Sequence, residues 1–295
     1  MKIEDSFKFS DAYAIVQEKI GSNDSIKKYL DTFRSYAPSQ FAIIKIGGES
    51  IEDPSSLKEI AISLSCLSSL GLYPIVIHGA NPQIDAAYRT MGILKPEKIN
   101  GIRPTTKEGL RAVEHGFADA HGKLYTAICD NDGKVKSMHN EHIFRAKKLI
   151  IPGKKLGYVG EVTGIDREPI EDAISEGKIP LSWTLGYSDD GQVYNINSDH
   201  TLPYLVDEFG PRKLILVNER GGVLDENGQI ISEIDIAGIE YLQKTSVVNG
   251  GMGIKTSIAA DIKRKHPDIM IEVAASKYLL HELFTDEGHG TLIRR

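Results

Sequence analysis

Lys45 is the first residue of the chain whose surroundings point to chemistry. Residues 43–50 read IIKIGGES, so a lysine stands inside an apolar run and two glycines follow it. A lysine among buried strand residues is costly unless its charge meets a partner. Gly47 and Gly48 let the backbone approach a bulky group closely. The pattern indicates an anion-binding site at the end of a strand.

Three further loops share this character. HGANPQ (78–83) and NERGG (218–222) follow apolar runs, and NGGMGIKTS (249–257) opens a predicted helix that carries Lys255. Backbone amides of Gly-rich loops and helix N-termini carry partial positive charge and suit phosphate oxygens. Lys45 and Lys255 would add two full positive charges to such a site.

Neither common phosphate-binding motif is present. A P-loop needs Gly-Lys-Ser/Thr in succession, whereas Ile254 separates Gly253 from Lys255. The dinucleotide fingerprint GxGxxG follows a first strand, whereas GMGIKT ends at Thr256 and lies late in the chain. The four loops therefore indicate phosphate chemistry of another kind.

Composition limits the class of protein. The chain has 295 residues, 41% hydrophobic and 26% charged, which is ordinary for a globular protein with one large domain or two lobes. The net charge of −6 argues against general nucleic-acid binding. No apolar run is long enough to cross a membrane, and the start MKIEDSFKFS resembles neither a signal nor a transit peptide. We expect a cytoplasmic protein that binds neither nucleic acid nor membrane.

Cysteine and histidine give no metal signature. Cys66 and Cys129 are isolated, and we expect both to be core thiols in a reducing compartment. The histidines show no HExxH or related spacing, so we predict no metal site. His78 is expected to be structural at a strand end, and the others to lie in the core or at the surface: His115, His121, His139 and His142.

Apolar periodicity predicts the elements that position these loops. Helical spacing appears in residues 11–20 and again in residues 25–37, before Pro38. From residue 41 onward, strands such as FAIIKI, YPIVIH, IPLSW, KLILV and IMIEVA alternate with helices. Three short runs, KVKSM, RAKKLI and GYVGEVTGI, are expected to form a hairpin layer, GGVLDENGQIISEI a β-hairpin turning at Asn227-Gly228, and TLIRR an edge strand.

This alternation predicts an α/β fold, a three-layer αβα sandwich with a mainly parallel central sheet. Ligands of such sheets bind beyond the carboxyl ends of the strands. The loops that contain Lys45, His78 and Asn218 all follow predicted strands. We therefore expect them to converge on one site.

The loops also carry a resemblance. IIKIGG, IVIHGANPQ, NGIRPT, NINSD, LVNERGG and GGMGIKTSIAA occur in the order found in the amino acid kinase family, and are most similar to its acetylglutamate kinases. Six short motifs in order, over roughly residues 41–295, make the resemblance specific. It implies the amino acid kinase fold, with ATP and Mg²⁺ used to phosphorylate the side-chain carboxylate of N-acetyl-L-glutamate.

The resemblance also implies roles for individual residues. Lys45 and Lys255 would flank the phosphoryl group in flight, and Asp199 would hold both lysines. The other residues would bind the two ligands. Substrate binding would fall to Gly79, Ala80, Arg103 and Asn195, and nucleotide binding to Gly47, Gly48, Asn218, Glu219 and Gly222. Mg²⁺ would be held mainly by phosphate oxygens and water.

Two departures from the bacterial pattern stand out. HGAN replaces the HGGG of many bacterial acetylglutamate kinases, so Ala80 and Asn81 restrict the backbone near the phosphates. Asn218-Glu219 stands where those enzymes often have Ser-Asp, a conservative change in chemistry. Related bifunctional and fungal enzymes vary at the same places, so we still expect activity.

The resemblance implies an organisation and a regulation. Residues 1–40 would be an N-terminal helical extension, 41–210 an acetylglutamate-binding and oligomerisation lobe, and 211–295 a nucleotide-binding lobe. Arginine-inhibited acetylglutamate kinases carry such an extension. Arginine inhibition and a homo-oligomer, with a tetramer favoured over a hexamer, are therefore expected. In the bifunctional relatives an acetyltransferase domain follows the kinase domain; it is absent from these 295 residues.

Two alternatives stay open at this stage. The acceptor could be aspartate, glutamate, carbamate or a nucleoside monophosphate, although NGIRPT with NINSD favours acetylglutamate. The chain could instead be an arginine-sensing kinase-fold module of an acetylglutamate synthase. Such modules typically lose their catalytic lysines, whereas Lys45, Asp199 and Lys255 are all present here.

Overall fold

The structure is a computed structural model that describes residues 9–21, 23–286 and 288–295. Its centre is an eight-stranded sheet with the order β10-β12-β11-β9-β1-β2-β6-β3. The pair β11–β12 is antiparallel, and β10 runs parallel to β12, so these two strands run opposite to the other six. The strands of this sheet, in chain order, are β1 Ala42–Ile46, β2 Ile75–His78, β3 Val135–Ser137, β6 Ile179–Trp183, β9 Lys213–Val217, β10 Glu233–Ile234, β11 Met270–Ala274 and β12 Thr291–Ile293. The predicted αβα architecture with a mainly parallel sheet is confirmed.

The middle strands are buried on both faces because helices cover both. Every residue of β1 and β9 is buried, as expected for a parallel sheet between two helical layers. The helices are α1 Phe9–Ile20, α2 Asn23–Arg34, α3 Gly48–Glu52, α4 Pro54–Ser69, α5 Asn81–Thr90, α6 Lys107–Asp130, α7 Glu168–Ser175, α8 Leu202–Phe209, α9 Ile236–Lys244, α10 Gly250–Lys265 and α11 Leu279–Phe284. No helix in these described stretches is long and apolar enough to cross a membrane.

A second, four-stranded sheet lies beside the main one. Its order is β5-β4-β7-β8, with β4 Phe144–Lys148, β5 Gly160–Ile165, β7 Leu185–Tyr187 and β8 Val193–Asn195. This sheet contains two of the three runs predicted to form a hairpin layer. The third run was assigned wrongly, because β3 pairs in parallel with β6 at the edge of the main sheet.

Two other expectations need correction. TLIRR was predicted as an edge strand, but β12 lies between β11 and the short strand β10, which takes the edge. Cys129 was expected in the core and is exposed, while Cys66 is buried. Cys129 lies in the last turn of α6, where the helix turns that face towards solvent.

The predicted hairpin at Asn227-Gly228 is present as a tight turn. The amide of Gly228 donates to the carbonyl of Asp225, and Gly228 has φ +76°, which glycine adopts without strain. Leu224 and Ile230 form an antiparallel bridge on either side. This turn lies between β9 and β10.

The described part of the predicted N-terminal extension packs against the body of the protein, while residues 1–8 of that prediction lie outside the described residues. Helix α2 buries Tyr29 and Phe33 together with two aliphatic residues on the same face. The ring of Phe33 lies 4.6 Å from that of Phe41 and 6.1 Å from that of Phe284. The apolar face predicted from residues 25–37 therefore docks on the C-terminal helix α11. The predicted boundary between the two lobes falls at Gly210, which ends α8, and the main sheet is continuous across it.

Candidate active site

Lys45, Asp199 and Lys255 meet at the carboxyl ends of the central strands. Lys45 Nζ lies 2.9 Å from Asp199 Oδ1, and Lys255 Nζ lies 3.1 Å from the same oxygen. The exposed fractions of the three residues are only 5%, 7% and 6%. Two buried ammonium groups therefore share one carboxylate, so the cluster keeps an excess of positive charge for an anionic ligand.

Each member is positioned by a different element. Lys45 is the fourth residue of β1, and Lys255 lies in the second turn of α10. Asp199 lies in a short 3₁₀-helix, residues 198–201, whose start is fixed because Asn197 Oδ1 accepts a hydrogen bond from the Asp199 amide at 3.0 Å. This bond fixes the backbone that carries the Asp199 side chain between the two lysines.

The charges of this cluster alter the pKa of each member. Burial opposes ionisation of Asp199, but the ammonium groups of Lys255 and Lys45 outweigh it and hold the Asp199 pKa well below its ordinary value. Burial lowers the pKa of Lys255 to about 8, opposed by Asp199 and reinforced by Lys45. For Lys45, the effect of burial is exceeded by the attraction of Asp199, which raises its pKa. Asp199 is therefore ionised at neutral pH and is no proton acceptor.

Two cavities meet beside this cluster, and Asn81 lines both. The larger has a volume of about 440 Å³, and the smaller about 50 Å³. The larger cavity is lined by seven of the eight residues that the sequence assigned to catalysis or nucleotide binding: Lys45, Gly47, Asp199, Asn218, Glu219, Gly222 and Lys255. The smaller is lined by the four assigned to substrate binding: Gly79, Ala80, Arg103 and Asn195.

Gly48 lines neither cavity and has a different role in the site. It begins α3 directly after β1, and its carbonyl accepts a hydrogen bond from Gln83 Nε2 at 2.9 Å. A Cβ at Gly48 would lie 2.9 Å from Ala80 Cα. Gly48 therefore allows the loop after β1 to pack against the loop after β2.

Arg103 lines the smaller cavity, and neighbouring side chains hold its guanidinium in place. Its Nη2 lies 2.6 Å from Asp85 Oδ1, and its guanidinium lies over the ring of Tyr88 at 5.7 Å. Arg103 Nη1 is buried without a hydrogen-bond partner. A buried guanidinium nitrogen without a partner is costly, so a carboxylate that entered this cavity would bind there favourably.

Asn195 is joined to Arg103 through one threonine. Asn195 Nδ2 donates to Thr105 Oγ1 at 3.0 Å, and Thr105 Oγ1 donates to the Arg103 carbonyl at 2.9 Å. These bonds tie the end of β8 to the loop before α6. The side chains of Asn195 and Arg103 are therefore held on the same cavity by a shared partner.

Asn218 both shapes its loop and leaves a donor free. Its Oδ1 accepts a hydrogen bond from the Gly221 amide at 2.7 Å, which forms the turn after β9. Its Nδ2 is buried without a partner. Gly222 lies under this turn, where a Cβ would come within 2.7 Å of Ile230 and 2.8 Å of Thr291. The turn therefore presents one unpaired amide group beside the larger cavity.

Sequence reasoning missed several residues of the site. Asp85 pairs with Arg103, Lys98 lines the smaller cavity, and Glu49 lines the larger one. Asp85 lies on α5 one turn after Asn81, so helical spacing alone could have placed it near that loop. Glu49 lies in the first turn of α3 and Lys98 in the loop between α5 and α6, and the local sequence of neither carries a comparable signal.

A mainly parallel sheet with two buried lysines and an unpaired Asn218 side-chain amide at its strand ends defines an α/β protein with a positively charged cavity there. The sequence profile of the Amino acid kinase family matches residues 40–272. The chain belongs to that family. Its fold is the amino acid kinase fold, as the resemblance implied.

Curated relatives support the same family. An acetylglutamate kinase of Xanthomonas campestris is 34% identical over 94% of this chain, which spans 64% of that protein. One of Pelagibacter ubique is 32% identical over 92% of this chain and 93% of its own length. A Candida albicans protein named ARG5,6, mitochondrial, is 36% identical over 94% of this chain, which spans only 32% of it.

Solved structures have the same fold. A Streptococcus mutans protein, smu.665, has a TM-score of 0.73 at 26% identity, covering 87% of this chain and 99% of its own. An N-acetylglutamate synthase of Neisseria gonorrhoeae, complexed with coenzyme A and L-arginine, has a TM-score of 0.78 at 20% identity, covering 92% of this chain and 64% of its own. At that identity the second likeness concerns the fold alone.

Proposed function

We propose that this chain is an acetylglutamate kinase, which transfers the γ-phosphoryl group of ATP to the side-chain carboxylate of N-acetyl-L-glutamate. The observation that carries the proposal is the meeting of Lys45 and Lys255 on Asp199, beside the junction of a larger and a smaller cavity. The larger cavity lies beside the residues assigned to the nucleotide, and the smaller beside those assigned to the acceptor. The names of the relatives agree with this reaction.

The chemistry follows from the charges at this junction. A carboxylate oxygen of the acceptor attacks the γ-phosphorus, the bond from that phosphorus to the β–γ bridging oxygen breaks, and ADP leaves with the electron pair. The acceptor carboxylate is already ionised at neutral pH, so no base is needed. Lys45 and Lys255 stabilise the negative charge spread over the transferred group, which is the main requirement of phosphoryl transfer.

Asp199 acts through the two lysines. Its ionised carboxylate holds both ammonium groups and prevents their repulsion from driving them apart. Since its pKa is held far below neutrality, it stays a carboxylate during turnover. In this proposal Arg103 Nη1 binds an acceptor carboxylate and Asn195 a further polar group. The unpaired Ala80 amide contacts the transferred group, and Gly47, Gly79, Asn218, Glu219 and Gly222 contact the nucleotide or the acceptor; the amides of Gly47 and Gly79 themselves donate to the carbonyls of Val217 and Ile46.

Mg²⁺ fits this site as a companion of the nucleotide. The described residues contain no group of three or more acidic, histidine or cysteine side chains able to cage a metal ion. Mg²⁺ usually keeps several waters and binds phosphates with few protein ligands. Glu49 and Glu219, which line the larger cavity, are the carboxylates available to the ion or its waters. When bound, it neutralises phosphate charge.

A coupled ADP-release assay tests the activity. We expect turnover with N-acetyl-L-glutamate and little with aspartate, glutamate, carbamate or a nucleoside monophosphate. Turnover with one of these compounds and none with acetylglutamate would show that this compound, and not acetylglutamate, is the acceptor. Calorimetry with ATP separates the enzyme from a sensing module: a module without catalytic function should not bind ATP, whereas the intact lysine cluster should.

We also propose that arginine inhibits the enzyme and that the chain forms a homo-oligomer, with a tetramer favoured. The support is the resemblance to arginine-inhibited members, together with an N-terminal extension whose helices α1 and α2 pack on α11. The free thiols Cys66 and Cys129 suit a reducing compartment, and we place the reaction in the cytoplasm. A monomer in sedimentation, or activity unchanged by millimolar arginine, would reject this regulation.

A further inference from the structure

A chain of hydrogen bonds runs from the surface of the protein to the loop after β2. His139 Nδ1 lies 2.8 Å from Ser137 Oγ, and Ser137 Oγ lies 2.6 Å from His121 Nε2. His121 Nδ1 lies 3.0 Å from His78 Nε2. His78 Nδ1 lies 3.1 Å from the Gly79 carbonyl oxygen. Three histidines and one serine thus connect an exposed edge to a residue that lines the smaller cavity.

The Gly79 carbonyl fixes the proton on each ring. A carbonyl oxygen only accepts, so His78 Nδ1 must carry its hydrogen and donate. In a neutral ring His78 Nε2 then accepts, and His121 Nδ1 must donate to it. His121 Nε2 in turn accepts from the Ser137 hydroxyl. Only one arrangement of protons satisfies every bond, and it holds both rings in the Nδ1–H tautomer.

Both inner rings are held neutral by their surroundings. Burial lowers the pKa of His78 to about 4. The hydrogen bond to the Gly79 carbonyl opposes this shift, and the positive charge of Lys45 lowers the pKa further. Burial lowers the pKa of His121 to about 3, reinforced by His78 and His139. The remaining neighbours of His121 are aromatic, with Trp183 at 5.6 Å. None of these neighbours carries a negative charge that would favour protonation of either ring.

The chain ends on the peptide between Gly79 and Ala80. Because this peptide is trans, its N–H points away from the side on which its carbonyl is held. Gly79 and Ala80 both line the smaller cavity. In the described residues the Ala80 amide donates to no other group. Because His78 holds the Gly79 carbonyl on one side of this peptide, the unpaired Ala80 N–H is held on the opposite side.

We propose that Ser137 and His121 are positioning residues for phosphoryl transfer, which hold His78 in the tautomer that locks the Gly79–Ala80 peptide with its amide free for a ligand oxygen. The proposal rests on the proposed function. It gives His78 and His121 a role that the sequence did not indicate. His78 ends a strand, His121 lies in a helix, and neither belongs to a metal-binding motif. Since a preorganised donor counts mainly in the transition state, the effect should fall on kcat.

Ser137→Ala tests the proposal without disturbing a core side chain. Without the hydroxyl, His121 Nε2 loses its donor, the ring is free to adopt the Nε2–H tautomer, and the bond to His78 is then lost. We expect kcat to fall about five- to tenfold, as for the loss of one hydrogen bond of about 1 kcal/mol. KM for ATP and for acetylglutamate should stay within about twofold, as expected for an interaction used in the transition state.

Ser137→Thr is the conservative partner and keeps the hydroxyl on an edge strand that accepts β-branched residues. It should retain the kcat of the unmodified protein. A kcat that is unchanged in Ser137→Ala, or lowered equally in Ser137→Thr, would overturn the proposal.

Ser68→Ala controls for general loosening of the same strand. Ser68 Oγ accepts from the Lys134 amide at 3.1 Å and donates to the Ser65 carbonyl at 2.9 Å, just before β3 and outside the histidine chain. We expect this variant to lower Tm while kcat stays unchanged. A fall in kcat equal to that of Ser137→Ala would show that strand stability, and not ring orientation, controls the rate, and would reject the proposal.

Ring ¹⁵N NMR tests the chain without any substrate. His78 and His121 should show the neutral Nδ1–H tautomer at pH 6, and His121 should move towards Nε2–H in Ser137→Ala; His121→Asn assigns its signals. An Nε2–H tautomer at His78 would reject the proposal. If the protein fails to phosphorylate acetylglutamate while the tautomers are as expected, the proposed function fails and the histidine chain stands.

Discussion

The backbone of Gly48 packs so closely against Asn81 that a Cβ added at Gly48 would lie 2.8 Å from the Asn81 nitrogen. The contact joins the loop after β1, which follows Lys45, to the N-terminus of α5. Both loops border the place where the two cavities meet. Gly48 therefore sets the spacing between the groups proposed to hold the nucleotide and those proposed to hold the acceptor.

Gly48→Ala should separate these loops. The added methyl would also meet Ala80 Cα and Gln83 Oε1, each at 2.9 Å, so backbone must move. We expect the free energy of unfolding to fall by about 1–3 kcal/mol and kcat to fall more than about tenfold, since small displacements of reacting groups are costly. Chemical denaturation and steady-state kinetics measure the two effects.

Gly122→Ala is the matched control. Gly122 lies on an exposed face of α6 and a Cβ there meets nothing within 4 Å. Alanine should stabilise the helix by up to about 1 kcal/mol and leave kcat unchanged. Normal turnover in Gly48→Ala would contradict the close-packing argument.

Removing either lysine should affect the rate far more than the fold. Lys45→Met or Lys255→Met leaves Asp199 paired with one ammonium group, so the buried cluster becomes neutral and the protein should stay folded. We expect kcat to fall about 100- to 1,000-fold, as on loss of one preorganised charge-stabilising group, with KM changing much less. Steady-state kinetics with both substrates measures this split.

Lys244→Met provides the comparison, since Lys244 lies exposed at the end of α9. It should behave like the unmodified protein. Near-normal turnover in both Lys45→Met and Lys255→Met would exclude their assignment to catalysis.

The activity should decline in alkaline solution. The Lys255 pKa, lowered by burial to about 8, means that the ammonium form is present below pH 8 and is lost as pH rises through that value. kcat/KM reports the free enzyme, so it should be level near pH 7 and fall above about pH 8. At saturating ATP, the negative phosphates favour the ammonium form of Lys255. The alkaline decline of kcat should therefore occur at a higher pH than that of kcat/KM. A kcat/KM profile that stays level to pH 9.5 would contradict the buried pairing.

Arg103→Lys should weaken binding of the acceptor selectively. A lysine keeps the positive charge but loses the fork geometry and the free Nη1 donor. A hydrogen bond to a charged group contributes about 1.5–3 kcal/mol, so KM for acetylglutamate should rise about tenfold or more. KM for ATP should hardly change. Arg111→Lys, an exposed substitution on α6, should alter neither, and an equal rise in KM for ATP would argue against the assignment.

The strand-end loops were predictable because their signals are local. An apolar run followed by glycines marks β1 and the loop with Gly47, and the same reasoning identified β9 and the start of α10. The assignments that failed concern partners. β3 and β12 were recognised as strands, but their neighbours are chosen by packing at long range, which no short pattern contains.

The histidines illustrate the same limit. Nothing in the spacing of His78 and His121 predicts a bond between them, because one ends a strand and the other lies in a helix that crosses it. Asp85 is a partial case: helical spacing places it one turn after Asn81, but its pairing with Arg103 depends on how α5 meets the following loop.

The sequence by itself determined the alternation of buried strands and helices, the glycine loops and the kinds of charge they carry, because these follow from local periodicity and residue chemistry. Only the tertiary structure decided that Lys45 and Lys255 meet on one oxygen of Asp199, and that Arg103 keeps one nitrogen unpaired. Those contacts depend on strand order and on the packing of helices across the sheet. Strand order and helix packing set the distances between residues that are far apart in the chain, and the local sequence around each residue does not contain this information.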